Sequence, residues 1–272
     1  MGLPSKITLI RHGESEANIF NRLLDSGKIK SAPDFVKRTP DREVKLTPVG
    51  VKQAKETGLA LKRDQQADID RLSFDYIVCS DHTRAKETMG HILIEAGMTS
   101  AEVSIDPLIG ERNWGDVLEL SSEQRAHVKK MRKIDPYNSC MPNGEHILIT
   151  KLRARTLIER LVRGGYENVL IVSHGEFIES FISEICKMRT EKFKEFFHDS
   201  QVGDIKNCQV ITVLSEGGKA KKIHSRNFFY GIDHGEIGIP KEKMTPSDLL
   251  AETAKVQGFL DKIPEANQEE EA

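Results

Sequence analysis

Arg11-His12-Gly13-Glu14-Ser15 sets a guanidinium beside an imidazole where an apolar run, Leu9-Ile10, gives way to glycine. An arginine fork matches the oxygens of a phosphate through paired hydrogen bonds. A neutral imidazole is a nucleophile near neutral pH. Both groups at the end of a buried strand would suit phosphoryl transfer. A similar turn, Ser173-His174-Gly175-Glu176, recurs far along the chain.

Transfer through an enzyme nucleophile needs an attacking atom, cations around the phosphoryl oxygens, an acid for the leaving group and a rigid frame. His12 is the candidate nucleophile, provided its second ring nitrogen donates to a fixed acceptor. Arg11 and Arg84 are the candidate clamps. Arg84 falls in the first turn of an expected helix, where free amides also favour an anion. His174 shares the context of His12 and can donate to a phosphate oxygen. Glu111 is the candidate general acid, protonated if its pocket is dry. Asn18 can reach the phosphate or orient His12, and Ser15, Arg112 and Gly175 complete the expected binding set. Each has a plainer reading: a core histidine for His12, a surface charge for Arg84, and one exposed carboxylate among 42 acidic residues for Glu111.

The elements that would hold these residues follow from hydrophobic period and turn chemistry. Strands are expected over residues 6–10, 75–79, 103–105, 168–173, 208–214 and 221–228. Helices are expected over 15–24, over 48–63 behind Thr47 as N-cap, over 83–96, over 121–133, over 145–162, and after Gly175. Residues 25–45 and most of 107–145 read as irregular. Alternating strand and helix predicts a single α/β domain with a mostly parallel central sheet and helices on both faces. Ligands of such sheets bind at the carboxyl ends of the strands. Arg11-His12, Ser80 through Arg84 and His174 all follow strands at that end, and Glu111 follows a short loop.

The expected organisation is a catalytic domain over residues 1–239, with 19–45 and 112–142 as insertions near the active site. A C-terminal extension, 240–272, is expected to form an amphipathic helix from about 245 and then a disordered acidic end. Net charge is −2, and 38% of the 272 residues are hydrophobic. That balance points away from nucleic acid and from anionic membranes. No apolar run reaches bilayer-spanning or signal-peptide length. Cys79, Cys140, Cys186 and Cys208 form no Cys-x-x-Cys pair, which argues against zinc or a redox dithiol and for a reducing, cytoplasmic setting. A homodimer through an edge strand or the 245–260 helix is a further expectation.

Residues 9–18 (Leu-Ile-Arg-His-Gly-Glu-Ser-Glu-Ala-Asn) resemble the signature of the histidine phosphatase superfamily, the phosphoglycerate mutase-like family. So do Ser80-Asp-His-Thr-Arg84-Ala-Lys-Glu-Thr88, Glu111-Arg-Asn-Trp-Gly115, Asn143-Gly-Glu145 and Ser173-His-Gly175, in the family's order over about residues 5–215. The resemblance implies an α/β fold and a phosphohistidine on His12. It implies phosphate binding by Arg11, Arg84 and His174, proton donation by Glu111, and no metal or cofactor. Ala17, Asn143 and His146 depart from the commonest residues and bear on pocket shape. Pro40-Asp41 before Leu46-Thr-Pro-Val-Gly50 is similar to some phosphatase branches. The acidic stretch after Gly115, Asp-Val-Leu-Glu-Leu, is unlike the segment of cofactor-dependent mutases. The expected activity is therefore hydrolysis of a small-molecule phosphomonoester, the alternative is mutase-type transfer, and a third reading is a retired, non-catalytic phosphate-binding scaffold. Seven basic side chains in 19–45, with Arg125, Lys129, Lys130, Arg132 and Lys133, fit a substrate charged beyond one phosphate if they border the pocket, or a solvated basic face if they do not.

Overall fold

A computed structural model describes residues 2–67, 73–135, 137, 139–189, 192–193, 195 and 205–239. Two compact units divide the chain, Met1–Pro240 and Lys241–Ala272. The expected C-terminal helix and acidic end lie outside the described residues.

The elements run β1 (Lys6–Arg11), α1 (Glu16–Asp25), α2 (Asp34–Arg38), α3 (Pro48–Ala67), β2 (Tyr76–Cys79), α4 (Thr83–Glu95), β3 (Ser104–Ile105), α5 (Ser122–Ile134), α6 (Ile147–Gly164), β4 (Asn168–Ser173), α7 (Gly175–Cys186), β5 (Val210–Glu216), β6 (Lys219–Asn227) and β7 (Ile232–Gly238). One seven-stranded sheet holds all the strands in the order β3-β2-β4-β1-β5-β6-β7. The β3-β2-β4-β1 half is parallel. The sheet then continues as an antiparallel meander, β1-β5-β6-β7. β7 is not expected from the sequence, because Gly231, Asp233, His234 and Gly235 dilute its apolar pattern. Turns also replace part of the expected irregular stretch, with α2 and a 3-10 turn at Asp41–Glu43 inside it.

Period-two alternation divides the core between the faces. Ile7, Leu9, Val169 and Ile171 pack with Leu157 and Leu161 of α6 and Phe177 and Phe181 of α7. Ile10, Leu170 and Val172 pack with Ala54 and Leu61 of α3 and Met89 and Ile92 of α4. Gly165 ends α6 in the left-handed region, at φ 68, as a helix-closing glycine does. Among the described residues no helix is long and apolar enough to cross a membrane.

α3 is capped by Thr47, whose Oγ1 accepts from Gly50 N at 3.1 Å, and Pro48 opens its first turn. The helix start is pressed against the turn after β1. A Cβ on Gly50 would lie 2.0 Å from the Glu14 carbonyl oxygen, and one on Gly13 would lie 2.6 Å from the Gly50 oxygen. Gly50→Ala is therefore expected to push the His12 turn out of place. Urea denaturation should show a loss of about 1–3 kcal/mol or more, and any activity that depends on His12 should fall with it.

Candidate active site

The parallel register of β1 on β4 pairs Arg11 with Ser173, so His12 and His174 leave the sheet side by side. His12 N donates to Ser173 O at 2.9 Å, and the ring centroids are 5.1 Å apart. Cys208 anchors the turn from the other side. It sits in the left-handed region, at φ 54, and its N–H reaches the carbonyls of Arg11 and His12 at 3.1 and 3.3 Å.

Glu111 arrives from the loop after β3. Three contacts hold that loop: Asp106 N to Cys79 O at 2.9 Å, Ser173 Oγ to Ile109 O at 2.6 Å, and Arg153 Nη1 to the carbonyls of Leu108 and Gly110. Arg153 is itself held by both carboxylate oxygens of Glu145, at 2.9 and 2.8 Å. Glu111 Oε2 then lies 3.8 Å from His174 Nδ1. One ligand-type atom each of His12, Glu111 and His174 falls within 4.8 Å of the others.

Protonation follows from this burial. His12 Nδ1 is 2.7 Å from Gly13 O. A carbonyl only accepts, so Nδ1 carries the proton and Nε2 keeps its lone pair. Burial, then the charges of Arg84 and Arg11, hold the His12 pKa well below that of an ordinary histidine. Burial and Arg84 do the same to His174. Burial pushes the Glu111 pKa above the usual carboxylate range, against the pull of Arg84. Burial thus disfavours the charged form of nucleophile and acid alike, across a few ångströms.

The cations come from two other elements. Arg84, 3% exposed, lies in the first turn of α4. Arg11 donates from Nη1 to Ile205 O, while its Nε is buried without a partner, as is His174 Nδ1. Gly175 packs beside the Arg11 guanidinium, where a Cβ would lie 3.6 Å from Nε. The three-residue cluster of His12, Glu111 and His174 has the spacing of a metal site. Two flanking arginines, and burial that disfavours an ionised Glu111, favour an anion there instead.

Arg84 grips an anion from the protein itself. Its Nη1 and Nη2 donate to the Asp41 carboxylate at 3.1 and 2.9 Å, and Nη1 also donates to the Asp41 carbonyl at 2.6 Å. His82 Nε2 lies 3.2 Å from the same carboxylate. Burial alone would raise the Asp41 pKa. The His82 hydrogen bond and the Arg84 charge outweigh it and hold this carboxyl well below the usual range. Asp41 therefore sits in the arginine fork as a phosphate would.

The structure brings His12, Arg11, Arg84, His174 and Glu111 together. Ser15 and Asn18 have local work. Ser15 N and Oγ both donate to Asn18 Oδ1, at 3.0 and 3.1 Å, at the start of α1. Asn207 joins this cap to the histidine turn through Asn18 Oδ1 and His12 O. Arg112, expected to bind substrate, is instead committed inside the protein. It is 3% exposed and donates to Glu145 O, Ser139 O and Glu176 Oε2. Sequence reasoning missed Asp41 as the anion in the Arg84 fork, Arg153 as the support of the Glu111 loop, and Asn207 as a neighbour of the histidines, and it placed Ser80 and His82 near the site without their contacts. Pro40-Asp41 and Ser80-Asp-His were visible as strings, but their partners lie across the fold.

Arg84 cannot give both terminal nitrogens to Asp41 and to a phosphate at once. Asp41→Asn is expected to tighten inorganic phosphate binding about tenfold, because the competing internal anion loses its charge. Isothermal titration of the full chain measures this, and weaker binding would make Asp41 a support of Arg84 rather than its competitor.

The chain matches the profile of the histidine phosphatase superfamily (branch 1) over residues 7–227. It is 30% identical over 199 residues to a 2,3-bisphosphoglycerate-dependent phosphoglycerate mutase of Allorhizobium ampelinum, covering 68% of this chain and 82% of that protein. A mutase of the same description from Parvibaculum lavamentivorans is 27% identical over 203 residues, covering 70% of this chain and 84% of that one. The fold is similar to that of an Escherichia coli protein assigned as an alpha-ribazole-5'-P phosphatase, with a TM-score of 0.59 and 22% identity over 88% of this chain and all (100%) of that one. It is also similar to mycobacterial glucosyl-3-phosphoglycerate phosphatase, with a TM-score of 0.58 and 18% identity over 77% of this chain and 89% of that one. With its two histidine turns side by side and its profile match spanning most of the described residues, this chain belongs to the histidine phosphatase superfamily.

Proposed function

We propose that this chain hydrolyses small-molecule phosphomonoesters through a phosphohistidine on His12. The observation that carries this reading is the fixed His12 ring: Nδ1 is tied to Gly13 O at 2.7 Å, which frees the Nε2 lone pair beside Glu111 and two arginines. Nε2 attacks phosphorus, the ester P–O bond breaks, and the Glu111 proton passes to the leaving oxygen. Arg11 Nε and His174 Nδ1, buried without partners, would receive phosphoryl oxygens. Water then attacks the phosphohistidine, Glu111 takes a water proton, and phosphate leaves as the P–N bond breaks.

Mutase-type transfer is the second reading, favoured by the names of the curated relatives. A mutase must also hold a second anionic group. Here the two arginines stacked on Trp114, Arg112 and Arg132, are both paired with Glu176. Asp116 and Glu119 add negative charge in the same segment. That balance supports hydrolysis. The four free cysteines fit a reducing compartment, and we place the protein in the cytoplasm.

Mixing the enzyme with a phosphomonoester and quenching should trap acid-labile, base-stable phosphate on the wild type and none on His12→Ala. Assaying 3-phosphoglycerate isomerisation beside phosphate release separates the two readings, and isomerisation faster than release would overturn hydrolysis. Glu111→Gln should slow phosphoenzyme formation from alkyl phosphates about 10²–10⁴-fold and from aryl phosphates with good leaving groups much less. A loss equal for both would remove Glu111 as the acid.

The sign of the pH dependence follows from the two shifts. kcat/KM should fall as pH drops through the lowered His12 pKa, where the nucleophile becomes protonated. It should also fall as pH rises through the raised Glu111 pKa, where the acid loses its proton. Glu111→Gln should flatten only the second limb.

A further inference from the structure

Ser80 is fully buried one residue beyond β2, where its backbone N–H donates to Val172 O at 3.1 Å. Its hydroxyl touches two histidines. Oγ is 2.8 Å from His174 Nε2 and 3.2 Å from His82 Nδ1, and it accepts from the His82 backbone N–H at 3.3 Å. A serine hydroxyl has one proton to give. His82 Nδ1 is the farther of the two ring nitrogens and also lies 3.1 Å from an oxygen of the Asp81 carboxylate, which only accepts and so competes for a hydrogen on that nitrogen. The nearer acceptor, at 2.8 Å against 3.2 Å, is His174 Nε2.

The other side of the His174 ring has no such partner. Nδ1 is buried and unpaired, 3.8 Å from Glu111 Oε2, on a ring 5.1 Å from that of His12. We infer that Ser80 is a positioning residue, which fixes His174 as the Nδ1–H tautomer and so aims an N–H donor at the space between His12 and Glu111. The inference rests on the hydrolytic reading above for its catalytic consequence, and on geometry alone for the tautomer. A neutral imidazole has one proton, and which nitrogen holds it is set by the hydrogen bond made by the other. Without the Ser80 hydroxyl nothing keeps that proton off Nε2. A His174 protonated there would present a lone pair, not a donor, to an incoming phosphoryl oxygen.

The test reads the tautomer directly. Long-range proton–nitrogen NMR of the full chain carrying nitrogen-15 histidine, with His174 assigned by its loss in His174→Gln, reports which ring nitrogen is protonated. The expected result is a protonated Nδ1 and an unprotonated Nε2 in the wild type, retained in Ser80→Thr. Ser80→Ala should shift the proton wholly or partly to Nε2. Its kcat on a phosphomonoester should fall about tenfold to a hundredfold, within the range for losing one preorganised donor. An Nε2–H or doubly protonated His174 in the wild type would overturn the inference. So would Ser80→Ala with an unchanged tautomer, whatever its kcat. The wild-type spectrum needs no variant of Ser80 to fold. A chain that shows the Nδ1–H tautomer yet releases no phosphate and forms no phosphoenzyme would overturn the proposed reaction and leave the assignment of Ser80 standing.

Discussion

Everything at this site depends on the parallel pairing of β1 with β4. Their hydrogen bonds set Arg11 level with Ser173, so the next residue of each strand, a histidine, emerges at the same height. A slip of one residue would reverse which side chains face which core. That register is held by two apolar layers at once, Leu9 and Ile171 on one face and Ile10 and Val172 on the other. The distance between the imidazoles is thus a property of the sheet before it is one of the turns that carry them. β2 and the loop after β3 add the remaining groups from strands in the same parallel half. The turn that leads into antiparallel β5 contributes backbone support, through Cys208 and Asn207.

Burial does opposite things to the acid and to the bases. It disfavours whichever form is charged, so the two imidazoles release their protons more readily and the carboxyl holds its own more tightly. The arginines reinforce the first effect and oppose the second. The outcome is a cluster in which the two arginines are the permanent charges beside the histidines and burial biases His12, His174 and Glu111 toward their neutral forms. Such a cluster attracts an oxyanion without requiring its own members to ionise.

Much of this was legible in the chain, because the strand that ends at Ser173 is almost wholly apolar and the helices keep a clean 3.6-residue stripe. His12, Arg84, Glu111 and His174 could each be named from a local string together with a resemblance. Their partners could not. Arg153 reads as one more charge on a helix, yet it crosses 43 residues to hold the Gly110 carbonyl. Arg112 shows the converse: it adjoins the acid in sequence, and its side chain is engaged by Glu176 and two backbone carbonyls. Hydrophobic period gives the direction of a backbone, whereas the aim of a long cation depends on which acceptors the tertiary fold leaves unpaired. β7 escaped for a different reason: strand pairing there runs through two glycines and an aspartate that a propensity reading assigns to turns.

The Asp41 carboxylate in the Arg84 fork links two events that would otherwise be independent. The segment bearing Asp41 also carries Lys37, which reaches Glu119 on the loop beyond the acid at 2.6 Å. Thermodynamic linkage is reciprocal: whatever lowers the free energy of this segment in its docked position must weaken an anion at Arg84, and the anion must loosen the segment by the same factor. The strap is in this sense a competitive ligand at a fixed local concentration. A molecule that braced it against the surface, far from either histidine, would act as an inhibitor without entering the site.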